Sequence, residues 1–395
     1  MPARRRRCGC GASSIASSQY WRSSTMDTAC SPISSSPANA SSLPSSERAQ
    51  RAFPSPQSAF QPALPLHVVF ILDQRCNLNC IHCSSAASRG GDPGFDTASA
   101  LRVVDELAEA GVLDVAFSGG EPLLRRDLPQ LIRAARAHGM SVGTSTNGWP
   151  LTEAKAATLR DAGLSRLQVS LDGDARTHDR IRGAGSFVRA VRAIRRSRAA
   201  GLRTHVCFTA MRSNADQLET VIEIALGAGA HGFNLSQFVP TGRGSEAEDL
   251  DGTASRTLLE AWMRARRAHP DAYFALHSAG LVDLDPALGA QFGGCQAGLS
   301  IACIDSRGNV LPCVMFPLAL GNLHAQPLRE IWRESPVLQA LRARELGGTC
   351  GGCPHRRSCG GCRAAAWART GDFLASDPRC WRHDGTGCAP SPFAA

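Results

Sequence analysis

From Leu66 onward the chain alternates short apolar runs with longer stretches of helical period, repeating about every 30 residues. Leu66-His67-Val68-Val69-Phe70-Ile71-Leu72 is continuous in apolar character, the pattern of a strand buried on both faces. Comparable runs predict strands at 66–72, 112–117, 141–146, 166–171, 203–210 and 232–238. Helices are predicted between them, near 97–110, 127–138, 152–162, 186–200 and 214–228. The first starts at Asp96 or Thr97 and carries Leu101, Val104 and Leu107 on one face. Gly111, Gly139, Gly163, Gly201 and Gly229 stand where these helices should stop. Parallel strands joined by helices cross over right-handedly, so six such units predict an α/β fold, a partial (β/α)6 barrel. The barrel is expected over 63–240, and its unclosed side would admit a bulky substrate.

Residues 1–62 follow no such period. They hold sixteen serines, many prolines and the run Arg4–Arg7. That composition cannot repay the entropy of ordering, so a disordered tail is expected. A start at Met26 or a later codon would also explain the segment. Residues 241–290 read as a linker or helical region, 291–385 as a cysteine-rich domain and 386–395 as a second tail.

The net charge of +9 invites a nucleic-acid reading, but its distribution opposes one. Residues 1–65 carry seven arginines against Asp27 and Glu47, leaving only four net positive charges on the remaining 330 residues. No apolar run approaches the length of a membrane span. Sixteen cysteines without a secretory apolar segment suit metal in a reducing compartment, so a cytoplasmic protein is expected, with no nucleic-acid or membrane partner.

The chemistry is concentrated in Cys76-Asn77-Leu78-Asn79-Cys80-Ile81-His82-Cys83. This spacing offers three thiolates to a four-iron cubane and leaves one iron open to a ligand. The loop follows the first predicted strand, at the barrel end where active sites lie. After the second strand comes Ser118-Gly119-Gly120-Glu121-Pro122, whose glycines let backbone approach a ligand. Together these motifs resemble the radical S-adenosylmethionine superfamily.

That resemblance implies an enzyme whose reduced [4Fe-4S] cluster cleaves S-adenosylmethionine to a 5′-deoxyadenosyl radical, which abstracts a substrate hydrogen. It implies that Gly119, Gly120 and Glu121 hold the amino group of the cosubstrate and that His82 borders its adenine. Asn147, Ser170 and Asp172, at the ends of the third and fourth strands, would touch its methionine or ribose part. Asp172-Gly173 also reads as simple turn chemistry, and Asn214 as a helix N-cap. A flavodoxin- or ferredoxin-type donor would supply the electron.

A second cysteine field resembles the SPASM extension of that superfamily. Its opening half is Cys295-Gln296-Ala297-Gly298, Cys303 and Gly308-Asn309-Val310-Leu311-Pro312-Cys313. Its closing half is Cys350, Cys353, Cys359 and Cys362, ending at Asp377-Pro378-Arg379-Cys380. The resemblance implies two auxiliary clusters, one on Cys350, Cys353, Cys359 and Cys380, the other on Cys295, Cys303, Cys313 and Cys362. The gap between Cys359 and Cys362 is two residues where the pattern has three, which leaves Cys362 open. Cys303, within Ile301-Ala302-Cys303-Ile304, also reads as a buried strand thiol. Cys207 and Cys388 read as free thiols. Zinc on residues 350–362 would instead make this a regulatory or nucleic-acid-binding module.

Phe238-Val239-Pro240-Thr241-Gly242-Arg243-Gly244 resembles radical enzymes of heme biosynthesis and some peptide maturases. A large carboxylated tetrapyrrole is the expected substrate, with Arg243 reaching a carboxylate or serving only as a turn. The alternative is a ribosomally made peptide. Because residues 1–62 do not read as a leader-binding module, a peptide would be expected to need a separate leader-binding protein.

Overall fold

The structure, a computed structural model, describes residues 62–382. The six predicted strands form β1 (His67–Ile71), β2 (Asp114–Ser118), β3 (Ser141–Thr146), β4 (Arg166–Ser170), β5 (Thr204–Ala210) and β6 (Gly232–Gln237). They pair in parallel and in chain order. Side-chain alternation sorts the faces. Val68, Phe70, Val115, Phe117, Leu167, Val169, Val206, Phe208, Phe233 and Leu235 are wholly buried in the main core. Polar residues alternate with them: Asp114, Arg166, Gln168 and Ser170 are only half-buried.

Two further parallel strands extend the sheet. β7 (Tyr273–His277) pairs with β6 inside the stretch read as a linker. Its five residues are polar at both ends, which leaves too little periodicity to announce a strand. It is held by the helix Gly252–Ala268, whose Trp262 packs edge-on to Phe274 and Phe292. On the other side β8 (Ile301–Ile304) pairs in parallel with β1. The antiparallel strands β9 (Asn309–Leu311) and β10 (Gly321–Asn322) follow, giving the order β10-β9-β8-β1-β2-β3-β4-β5-β6-β7. The cysteine-rich region is thus joined to the barrel by a strand ladder, and this fixes its cysteines relative to the first barrel strand.

The predicted tails 1–62 and 386–395 lie, Pro62 apart, outside the described residues, as do Cys8, Cys10, Cys30 and Cys388. Among the described residues no helix is long and apolar enough to cross a membrane.

Candidate active site and cluster sites

The carboxyl ends of β1 to β5 open on a cleft of about 200 Å³. Cys76, Cys80, Cys83, His82, Gly119, Gly120, Glu121, Asn147, Ser170 and Arg243 all line it. Residues separated by up to 167 positions are thereby gathered at one strand end, as the barrel topology demands (Cys76 to Arg243).

Burial pushes Cys76 up to about 11, and the nearby Cys80 and Cys83 add to this. Thiolates at this place need a strong positive charge beside them, which iron would provide. Two donors already reach the Cys76 sulfur: the Leu78 backbone N–H at 3.4 Å and Asn147 Nδ2 at 3.8 Å. A thiol cradled by N–H groups suits a cluster sulfur.

Gly119 and Gly120 press against the cluster loop. A Cβ on Gly119 would come 2.7 Å from the Asp73 carbonyl, and one on Gly120 would come 2.1 Å from that of Arg75. Their segment donates to the same carbonyls, Gly120 N to Asp73 O and Glu121 N to Arg75 O, each at 2.9 Å. The glycines therefore serve loop-to-loop packing as much as approach to a ligand.

Glu121 turns inward. Its Oε1 accepts from Thr146 Oγ1 at 2.7 Å and from Leu123 N at 3.0 Å, and its Oε2 accepts from Asn147 N at 2.7 Å. Burial pushes its carboxyl up to about 7 against these bonds. The acid fastens β3 to the loop after β2. Asn147 likewise holds the cluster loop, through Asn77 Oδ1 at 2.9 Å as well as Cys76.

Asp172 lies behind the cleft, fully buried. Its Oδ1 accepts from Thr209 N at 3.0 Å, and its Oδ2 accepts from Arg182 Nε. Burial opposes its ionisation, but the Arg182 guanidinium outweighs this and holds it below the ordinary carboxylate range. Arg182 in turn donates to His82 Nε2 at 3.3 Å and lines the cleft. The sequence reading missed Arg182, and a lone arginine at a helix end gives no cue that its partner is ten residues upstream. Asn214 spans from Met211 N to the Asp172 carbonyl, so it braces the same corner.

Arg243 is largely committed. Its Nε donates to Cys80 O at 3.1 Å and its Nη1 to Ala87 O at 2.7 Å. Two arms of this fork thus hold the cluster loop.

The auxiliary cysteines divide into two neighbourhoods. Cys350, Cys353, Cys359 and Cys380 wall one cavity. Burial pushes Cys380 up to about 11, and Cys350 and Cys353 add to it. Elsewhere burial pushes Cys313 up to about 12, with Cys295 and Cys362 adding to it. Cys362 thus leaves its chain neighbours for the other set. The short gap permits this because Gly360 and Gly361 both take left-handed conformations, at φ 69° and 56°. Cys303 stands in β8 with no exposed surface, packed with Ile71 and Leu311, although the Cys313 charge still acts on it. Cys207 is half-buried within β5, near the Asp172 charge. Among the described residues no three His, Cys, Asp or Glu side chains converge as a single metal ion would require. The wider spacing of thiolates around a polynuclear cluster is a different geometry.

Residues 71–225 match the radical SAM superfamily model, and residues 295–354 match the SPASM iron–sulfur cluster-binding domain. The AdoMet-dependent heme synthase of Methanosarcina barkeri is 34% identical over 335 residues, covering 80% of this chain and 96% of that protein. This chain belongs to the radical SAM superfamily. It is an enzyme of that class, and its cofactors are iron–sulfur clusters and S-adenosylmethionine. The mycofactocin maturase MftC of Mycobacterium ulcerans is 33% identical, with 80% of this chain and 88% of that protein covered. The fold is shared with Streptococcus suis SuiB bound to S-adenosylmethionine, at TM-score 0.68 and 19% identity over 81% of this chain and 78% of SuiB.

Proposed function

We propose that this enzyme removes carboxyl or side-chain carbon from a large carboxylated tetrapyrrole. The supporting observation is the heme synthase relative, matched along 96% of its length. In this reading Cys76, Cys80 and Cys83 hold the cluster that binds S-adenosylmethionine, which supplies the 5′-deoxyadenosyl radical after one-electron reduction. The two auxiliary neighbourhoods hold one cluster each, with Cys295, Cys313 and Cys362 serving one and Cys350, Cys353, Cys359 and Cys380 the other.

The chain's own residues then divide the work. The Ser118–Gly120 backbone and the Ser170 hydroxyl face the cosubstrate. Asp172 fixes Arg182, which positions His82 through the 3.3 Å bond. The cleft carries Arg182 and Arg243 against Glu121, with Arg182 paired to Asp172 behind it. Arg243 Nη2, the nitrogen not spent on the loop carbonyls, is the donor proposed for a substrate carboxylate. A flavodoxin- or ferredoxin-type protein in the cytoplasm is the proposed electron source.

Identity to the mycofactocin maturase favours a second reading, in which the substrate is a ribosomal peptide presented by a leader-binding partner. One experiment separates them. The reconstituted enzyme is given iron-coproporphyrin or a decarboxylated siroheme, with S-adenosylmethionine and reductant, and products are weighed by mass spectrometry. Loss of carbon dioxide or an acetyl arm supports the tetrapyrrole. No porphyrin binding at micromolar concentration, together with loss of two hydrogens from a precursor peptide, supports the maturase.

A further inference from the structure

Two polar side chains of the barrel line the cavity walled by Cys350, Cys353, Cys359 and Cys380, and neither has a partner there. Gln237, the last residue of β6, is 5% exposed. Its Oε1 accepts from Ser278 Oγ at 2.8 Å, while its Nε2 bonds to nothing. Ser255, in the first turn of the helix Gly252–Ala268, is 2% exposed, and its Oγ is also unpartnered. A buried donor without an acceptor has given up its bonds to water and gained nothing in return. Two of them in one wall imply that the occupant of the cavity accepts hydrogen bonds. The thiolates and sulfides of a cluster are anionic acceptors.

We propose that Gln237 Nε2 and Ser255 Oγ donate hydrogen bonds to sulfur atoms of the auxiliary cluster held in this cavity, and so raise its reduction potential. The proposal rests on the cluster assignment given under Proposed function. The other donors belong to the cysteine-rich domain: His355 N to Cys353 Sγ, Gly361 N to Cys359 Sγ and Asp377 N to Cys350 Sγ, each at 3.4 Å, and Arg363 Nη2 to Cys350 Sγ at 3.8 Å. Gln237 and Ser255 add a barrel contribution. The reduced cluster carries one more negative charge than the oxidised one, so a donor stabilises it more. Removing a donor therefore lowers the potential.

The location links the two chemistries of the molecule. Just after Gln237, the Phe238 carbonyl accepts from the buried Arg379 at 2.9 Å. The same segment continues to Arg243, which grips the loop of the active cluster. A short stretch of chain thus contacts both cluster sites.

The test is a potentiometric titration followed by electron paramagnetic resonance on reconstituted Gln237→Leu, Ser255→Ala and the double variant. The expected result is a lower auxiliary potential in each single variant and a lower one still in the double, at unchanged iron content. The potential of the S-adenosylmethionine-binding cluster should stay put. Should Gln237→Leu lose iron, the nearly isosteric Gln237→Glu replaces it, and its acceptor-only carboxylate should lower the potential further. An unchanged potential in the fully loaded double variant overturns the proposal. Failure of the cluster assignment reads out separately, because Cys353→Ala would then keep all its iron.

Discussion

Arg243 Nε donates to the carbonyl of Cys80 at 3.1 Å, so an arginine just beyond β6 holds the loop that follows β1. Its Nη1 reaches the Ala87 carbonyl at 2.7 Å, and its own N–H donates to Cys83 O at 3.0 Å. Three bonds from one residue close the loop over the three cysteines. Arg243→Ala should remove two charge-assisted bonds, each worth about 1.5–3 kcal/mol. The expected outcome is lower occupancy of the active cluster and slower S-adenosylmethionine cleavage, with the auxiliary iron retained. Cleavage at the parental rate, with only porphyrin binding weakened, would show that Arg243 serves substrate alone.

Asp172 and Arg182 form a buried ion pair under His82. Asp172→Ala leaves the guanidinium buried and uncompensated, which should destabilise the protein by about 3–5 kcal/mol. Asp172→Asn keeps the shape, so it should cost less but still displace Arg182 and His82. Denaturation curves followed by far-ultraviolet circular dichroism check both, and equal stability of Asp172→Ala and parent would refute the bracing role.

His205 lies in β5, stacked on Tyr273 with ring centroids 5.0 Å apart, and burial holds it down to about 4. An unfolded chain protonates it near its ordinary 6.5. Between these values the unfolded state binds the extra proton, so stability falls as pH falls through 6.5 towards 4. His205→Gln abolishes this term. From pH 7.5 to 5.5 the variant should therefore lose less stability than the parent, the gap changing by at most about 1.4 kcal/mol per pH unit. Glu121, pushed up to about 7, acts in the opposite sense in both proteins and cancels from the comparison. Parallel denaturation curves across this range would contradict the assignment.

Cys303 packs among Ile71 and Leu311 with no exposed surface. Replacing it with alanine should cost only a small-side-chain packing penalty and leave the iron content of the reconstituted protein unchanged. Loss of iron comparable to that of Cys313→Ala would make it a fourth ligand of that auxiliary cluster.

The main architecture was legible because buried parallel strands and amphipathic helices write their periods openly. The cleft was legible because cysteines and glycines at strand ends allow few other readings. β7 was not, since five residues with polar ends leave little pattern and its support comes from Trp262 and Phe274 meeting in space. Side-chain roles were the least legible. Glu121, Asn147 and Arg243 line the cleft and Asp172 lies behind it, but residue type at a loop does not say which protein neighbour the fold brings up to each. Arg182 and Gln237 escaped for the same reason, as each gains meaning only from groups distant in sequence.

Iron and cleavage measured together test the central claim that Cys76, Cys80 and Cys83 hold the cluster that cleaves S-adenosylmethionine, while the C-terminal cysteines hold separate ones. The parent should bind about twelve irons if each of three clusters holds four. With Cys76, Cys80 and Cys83 all replaced by alanine, about a third of that iron should be lost and 5′-deoxyadenosine formation should stop. Cys353→Ala should also lose iron yet still form 5′-deoxyadenosine without turning over substrate. Continued 5′-deoxyadenosine formation by the triple variant would contradict the account.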